Sequence, residues 1–473
     1  MIHKPFSARR RNMLLASLGA AALAACGGSS DDETDNTTTR SRASMRAVYR
    51  VPAETAPQQA VMLAAPTIDY KVGWSSLAVQ ARMVRELVDT VDVVYLVNTD
   101  AADDPAGGDV AALRNALLAL GVPAATIDAR VHFHKVPHAD LWVRDYGGIF
   151  LSNGRGALEV VDFDFDGYGY NAFASTEIRA AYDFDNDLSL RVADALALPA
   201  RRSALIAEGG NLHFNGRGTV IAVETGLLGR NPDWTKTAAE VELRRVFGVH
   251  HVIWLPRGLA TDAHTVLQTP YTIGGEPVYN VGVNHVDEMI AWIDDRTVLL
   301  PEVTAADLAA AQAAGDPTVQ MTHEALQLAH DVLAAAADQD GRALNIVRVP
   351  DPGSIVIELD PADGVYGFIA SLDHHPVHRL VGAERFAAQE PVKFALAASY
   401  MNFVVSNGVV LVPAFYKPGR DPALATKDAA FASIVQNRYP GRRVVQIDVD
   451  ALTVGGGGMH CITQQIPAAA GPI

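Results

Sequence analysis

Gly455-Gly456-Gly457-Gly458-Met459-His460-Cys461-Ile462-Thr463-Gln464-Gln465 sets a cysteine three residues beyond a run of four glycines. Four glycines build neither a helix nor a stable strand interior, but they give a loop free backbone geometry. A thiol just past such a loop can approach a ligand closely. In extended chain the adjacent His460 points to the opposite face, so a base for Cys461 is expected from elsewhere.

The other cysteine, Cys26, belongs to a different region. Arg9, Arg10 and Arg11 form a basic start, and Met13 to Ala25 is an apolar run too short to span a bilayer. Leu23-Ala24-Ala25-Cys26 resembles the lipobox of a bacterial lipoprotein, in which the cysteine carries the lipid. Arg10-Arg11 ahead of Asn12-Met13-Leu14 also resembles a twin-arginine signal, with Met in the usual Phe position. The expected organisation is a leader 1–26 ending at Cys26, a polar tether 27–50 and a catalytic domain 51–473. The expected location is the bacterial cell envelope, with the lipid as the only membrane contact. Cys461 is then the lone thiol of the mature chain and has no intramolecular disulfide partner.

The chain has 473 residues, 49% of them hydrophobic and 19% charged, which fits a globular protein with a substantial core. Its 38 basic and 54 acidic residues give a net charge of −16. That charge repels nucleic acid and mildly favours cationic small molecules. From Val51 onward, short apolar runs alternate with amphipathic stretches. Helices are expected at Val79–Val91, Thr237–Val246 and Ala423–Asn437. Strands are expected at Val93–Val97, Thr219–Val223, Val252–Leu255, Phe403–Pro413 and Arg443–Ile447. This alternation indicates an α/β fold. The alanine-rich Thr304–Ala343 reads as a lateral helical insertion. No dinucleotide fingerprint or Walker loop is present.

Three further segments carry chemistry. They are Asp140-Leu-Trp142-Val-Arg144-Asp145-Tyr-Gly147-Gly148, Glu208-Gly209-Gly210-Asn211-Leu-His213, and Asn284-His285-Val-Asp287-Glu288. Each alone has an ordinary explanation, as a packed aromatic, a turn or a surface ion pair. His285 is the candidate base for Cys461, and Asp287 shares its face if the stretch is extended.

Together with Cys461 these segments resemble the Porphyromonas-type peptidylarginine deiminase and agmatine deiminase family of the pentein, guanidino-group modifying superfamily. Further matches are Glu224 with Leu227-Leu228 and Arg230-Asn231-Pro232, the run Ala398–Phe403, and Asn407-Gly408 with Val412-Pro413. The likeness extends from about Pro52 to Pro467. It implies a five-bladed α/β propeller of ββαβ-like units, with the site at its axis.

It also implies a mechanism. Asp145 and Asp287 bind the guanidinium nitrogens, Glu208 contacts the same cation or orients His285, and Cys461 attacks the carbon as thiolate. His285 then protonates the departing ammonia and later activates water. Trp142 walls the site, Asn402 is a polar contact near the thiol, and Asp166 is a candidate for the tail of a guanidino amine. No metal or cofactor is required. Agmatine leads; peptidylarginine, free arginine, amidino transfer and an inactive binding protein stay open. The oligomeric state is not legible.

The chain departs from the family at Gly147-Gly148, where Gly-Pro is usual, and at Asn284, where Gly is usual. It departs again at Ala65-Pro66 and at Phe165-Asp166-Gly167-Tyr168-Gly169. Asp162-x-Asp164-x-Asp166-Gly167 begins like a calcium loop, but Phe173 stands where the motif needs Glu. The histidines of Asp373–His378, and His132, His134 and His138, fit no standard zinc spacing.

Overall fold

Strand pairing repeats along the chain with one pattern. A short strand pairs antiparallel with the next, a helical crossover follows, and a third strand returns parallel to the second. Ile149–Ser152, Leu158–Asp164 and Ala200–Ile206 form one such sheet. His213–Phe214, Thr219–Val223 and His251–Leu255 form the next. Ala291–Trp292, Thr297–Glu302 and Asn345–Pro350 form a third. Val404–Val405, Val409–Ala414 and Arg443–Asp448 form a fourth. The remaining unit joins the chain ends: Gln464–Pro467 lies antiparallel to Gln58–Ala64, which runs parallel to Asp92–Val97, with Val131–Lys135 added outside. A mixed sheet of Tyr271–Ile273, Glu276–Tyr279, Val392–Ala395 and Val356–Leu359 stands apart from this repeat. This computed structural model describes residues 48–99, 107–262, 270–372 and 383–470.

The crossovers are helices with ordinary sequence stops. Ser75 caps Ser76–Leu87 by accepting from the Ala78 N–H, and Thr235 caps Lys236–Phe247, which ends at Gly248 with φ +66°. The alanine-rich stretch forms Ala305–Ala314, opened by a Thr304/Asp307 capping box, and Pro317–Ala335, capped by Asp316. Expected as a lateral insertion, it is the crossover between Thr297–Glu302 and Asn345–Pro350. It buries Leu326, Ala329 and Leu333 against those strands.

Most expected elements appear within a few residues of their predicted ends. Phe403–Pro413 does not: Ser406-Asn407-Gly408 turns it into a hairpin, with the Ser406 N–H bonded to the Val409 carbonyl. The start of the folded chain also moves. Arg50 and Ser152 exchange backbone hydrogen bonds, and Tyr49 packs on an apolar cluster, so the last residues of the expected tether belong to the fold. Cys26, the leader and most of the tether lie outside the described residues, as does Asp373–His378. No helix among the described residues is long and apolar enough to cross a membrane.

Candidate active site

The chemically distinctive residues share one structural address. Each lies just before the first strand of one of the five repeating units. Asp145 sits in the helical turn Val143–Tyr146, ahead of Ile149–Ser152. Glu208 precedes the 3-10 turn Gly209–Asn211, ahead of His213–Phe214. His285 and Asp287 flank the start of the 3-10 turn Val286–Glu288, ahead of Ala291–Trp292. Asn402 precedes Val404–Val405, and Cys461 precedes Gln464–Pro467. The repeat was invisible in the residues themselves, but in each of the five units the segment ahead of the first strand delivers polar groups to one place.

Of these, Cys461, His285 and Asp145 line a cavity of about 100 Å³ with Trp142, Tyr168, Asp140 and further aromatic and glycine residues, and Asn402, Asp287 and Glu208 lie against the thiol and the imidazole. Cys461 is 4% exposed. Its sulfur lies 3.0 Å from Asn402 Nδ2 and 3.4 Å from Asp287 Oδ2. The Asn402 carbonyl oxygen accepts the backbone N–H groups of His460 and Cys461 at 2.8 and 3.2 Å, so one amide fixes both the loop and the thiol. His285 lies between two carboxylates. Nδ1 is 3.6 Å from Asp145 Oδ1, and Nε2 is 3.8 Å from Glu208 Oε2, both longer than a hydrogen bond. Glu208 is held from its other oxygen by Arg230 Nε at 3.0 Å.

Three buried polar atoms here have no hydrogen-bond partner among the described residues: Asp287 Oδ1, Glu208 Oε2 and His285 Nε2. Leaving such atoms unsatisfied costs about 1–3 kcal/mol each. The two carboxylate oxygens are acceptors that suit a ligand rich in N–H groups, whereas the His285 Nε2–H is a donor facing Glu208 Oε2 at 3.8 Å.

The site's charge is unevenly compensated. Burial and the Asp287, Asp145 and Glu288 carboxylates push the Cys461 thiol well above its ordinary pKa. Burial opposes a charge on His285, but Asp145, Glu208 and Asp287 outweigh it and raise the imidazolium to about 9. Burial with the Asp287 and Glu208 charges lifts Asp145 to about 6, against the pull of His285 and Tyr168. Burial opposes ionisation of Glu208 too, but Arg230 and His285 prevail and hold it down near 2. The resting site is a neutral thiol, an imidazolium and an excess of carboxylate, and so attracts a buried cation.

Close packing explains the glycines. A Cβ on Gly210 would meet His285 Nδ1 at 2.6 Å and Asp145 Oδ1 at 2.7 Å. One on Gly457 would meet Cys461 Sγ and the Trp142 ring, each at 3.0 Å. The glycine run makes room for the thiol's own neighbours. Two departures from the family pattern are backbone statements. Asn284 has φ +61° and Gly148 φ +89°; Asn tolerates the first, whereas proline cannot adopt the second.

The sequence expectations fare unequally. Asp145, Glu208, His285, Asp287, Asn402, Trp142 and Cys461 converge. Trp142 forms a wall by stacking on Tyr70 with centroids 5.7 Å apart. The expected His285–Asp287 pair does not form. Val286–Glu288 is a 3-10 turn rather than a strand, and Asp287 turns to His460 Nδ1 at 2.7 Å. Asp166 is not a lining residue; it caps the Gly169 N–H at 2.9 Å and faces Arg230 Nε at 3.6 Å. Besides Asp145, the carboxylate that lines the cavity is Asp140, which accepts the Tyr70 hydroxyl at 2.6 Å. Asp162 is engaged by Ser189 and Arg202, which leaves the calcium-like run without a clustered ligand set.

Sequence reading missed Tyr168, whose hydroxyl donates to Asp145 Oδ2 at 2.9 Å. It also missed Asp262, which accepts the N–H groups of Val283 and His285 and so pins the histidine's loop. Only the unusual Gly167-Tyr168-Gly169 spelling hinted at the first, and nothing hinted at the second. Two described groups have metal-ligand spacing, Glu54/His213/His460 and Asp287/Glu288/Cys461. In both, ligand atoms are already engaged by protein partners.

Comparison with known proteins follows the same lines. The profile of the Porphyromonas-type peptidyl-arginine deiminase family matches residues 50–467. The agmatine deiminase of Ectopseudomonas mendocina is 30% identical over 350 residues, covering 73% of this chain and 79% of that protein. The putative agmatine deiminase of Streptomyces coelicolor is 32% identical over 330 residues, covering 69% and 76%. Among solved structures, the agmatine deiminase of Enterococcus faecalis superposes with a TM-score of 0.65 at 23% identity, covering 89% of this chain and 96% of that one. The shared α/β fold, the match across nearly all of the described chain and the converged cysteine, histidine and carboxylates lead to one conclusion: the chain belongs to the Porphyromonas-type peptidyl-arginine deiminase family.

Proposed function

We propose that the protein hydrolyses the guanidino group of agmatine or a closely related guanidino amine to a ureido product and ammonia. The observation that carries this is the pair of buried, unpartnered carboxylate oxygens, Asp287 Oδ1 and Glu208 Oε2, on residues packed against the Cys461 thiol and the His285 ring. A planar guanidinium brings N–H donors and the missing positive charge. Asp145 and Asp287 hold its nitrogens, and Glu208 aligns His285. With the cation in place, the thiolate of Cys461 becomes accessible near neutral pH.

The sulfur bonds to the guanidinium carbon, and the C=N electron pair moves onto nitrogen. His285 gives its proton to the departing amino group, the C–N bond breaks, and ammonia leaves. The thiouronium on Cys461 is then attacked by water, whose proton passes to the now neutral His285. The C–S bond breaks, the remaining hydroxyl proton of the added water passes to solvent, where ammonia takes it up as ammonium, and thiolate, ureido product and imidazolium are returned.

The cavity's outer lining supports an amine tail. It offers Tyr70, Tyr182, Phe368 and the Asp140 carboxylate, with no lysine or arginine among its described lining residues. A free or peptide carboxylate would meet Asp140 unfavourably. Five units with one pairing pattern, each supplying one turn to the site, support a five-bladed propeller closed around it. The leader 1–26 with lipidation at Cys26, a tether to about residue 48 and an envelope location complete the proposal on sequence grounds. Lipid labelling that survives Cys26→Ser would exclude that anchor.

The test is ammonia and ureido product measured together with agmatine, arginine and arginyl peptides. Both are expected in equal amounts, with agmatine preferred. Transfer of the amidino group to an added amine without ammonia would overturn the hydrolase reading.

A further inference from the structure

Behind the thiol lies a second histidine that the reaction above does not use. His460 is 3% exposed. Its Nδ1 is 2.7 Å from Asp287 Oδ2, and its Nε2 is 2.7 Å from Glu54 Oε1. A ring hydrogen-bonded to two carboxylates must donate from both nitrogens, which only the imidazolium does. The Arg144 guanidinium is 3.4 Å from the same Glu54 oxygen, and Gln465 Nε2 is 3.3 Å from the other. His213 stacks on His460 at 5.7 Å and 4°. Glu54, Arg144 and Gln465 line a separate cavity of about 30 Å³ that shares no lining residue with the substrate cavity.

We propose that His460 and Glu54 are positioning residues for Asp287, holding its Oδ2 toward Cys461 and leaving its Oδ1 open to substrate. This rests on the reading of Cys461 as nucleophile and Asp287 as a guanidinium ligand. Geometry favours it over a metal at Glu54, His213 and His460. Both His460 nitrogens are already engaged, and Arg144 would repel a cation. The charges agree. Burial and Arg144 disfavour the His460 imidazolium, but Glu54 and Asp287 outweigh them and raise its pKa. Burial would raise Asp287, yet His460, His285 and Arg144 bring it below the ordinary range. Without the His460 charge, Cys461 faces Asp287, Asp145 and Glu288 with His285 as the nearby cation. The thiolate then becomes harder to form. Glu54 comes from a loop 406 residues earlier than His460 and touches neither substrate cavity nor thiol. Its hydrogen-bonded path to Asp287 is the His460 ring, with Arg144 and Gln465 as its other partners.

The experiment uses the full chain with His460→Gln, Glu54→Gln and Glu54→Asp. Iodoacetamide alkylation of Cys461 is followed against pH without substrate, by mass of the Cys461 peptide, beside the pH profile of kcat/KM for agmatine. In His460→Gln the alkylation limb and the acid limb of kcat/KM should both move up by about one pH unit. Activity near neutral pH should fall about tenfold. Glu54→Gln should shift the same limbs by less, and Glu54→Asp should return them toward wild type. Limbs that coincide with wild type in all variants, whatever the change in melting temperature or kcat, would overturn the proposal. If His460→Gln does not fold, the two Glu54 variants decide on the same readouts. Failure of the underlying reading looks different. Wild type would then release no ammonia from any guanidino compound, while the alkylation limbs still report on His460.

Discussion

Two buried histidines of the site, His285 and His460, are held in opposite ways. His460 is locked at 2.7 Å from a carboxylate on each nitrogen and faces away from the substrate cavity. His285 lines the cavity, stands 3.6 and 3.8 Å from its carboxylates, and keeps Nε2 unpartnered. Hydrogen bonds at apo catalytic sites are commonly long and tighten when substrate arrives. A group that must give up and recover a proton needs loose partners, whereas one that fixes a charge needs tight ones. The difference separates a proton carrier from a scaffold within one charge network.

The comparison breaks most visibly at the carrier. Replacing His285 with Gln should lower kcat by about 10²–10⁴, the usual range for losing a general acid–base. His460→Gln should cost about a tenth of that or less; equal losses in steady-state kinetics would erase the distinction.

The pH profile sharpens it. His285 is an acid only while protonated, so kcat/KM should fall as pH rises through about 9. On the acid side two losses combine, so kcat/KM should fall as pH drops: Cys461 attacks only as thiolate, and Asp145, which binds cation only while ionised, is lost through about 6. A profile flat between pH 5 and 10, measured with agmatine, contradicts both assignments.

Asp140→Asn should raise KM for agmatine about tenfold, a loss of roughly 1.4 kcal/mol, and change kcat less. An unchanged KM removes Asp140 from tail recognition. The smallest effect belongs to Asn284→Gly, which keeps the φ of +61° that the His285 loop requires. Its stability by denaturant titration should stay within about 1 kcal/mol of wild type.

Much of this was legible in the chain. Thr219–Val223 was placed to the residue because a short apolar run between turns admits few alternatives. Cys461, His285, Asp145 and Glu208 were found because each stands in a compact, unusual spelling. Phe403–Pro413 was misread as one strand although Asn407-Gly408 is a turn signal, since the apolar run on both sides masked it. The pairing of His285 with Asp287 failed because two-residue spacing means a shared face only in extended chain, and Val286–Glu288 is a 3-10 turn. Glu54 and Asp262 were out of reach for a different reason. Their partners lie 406 and 23 residues away, and only the folded chain brings them together.

The account stands on covalent attack by Cys461, and the most direct measurement is mass spectrometry of the Cys461 peptide after acid quench during agmatine turnover. The account predicts a Cys461 adduct with the mass of agmatine less ammonia, absent in Cys461→Ala, which should also release no ammonia. An unmodified Cys461 at every quench time, together with full ammonia release by Cys461→Ala, would contradict it.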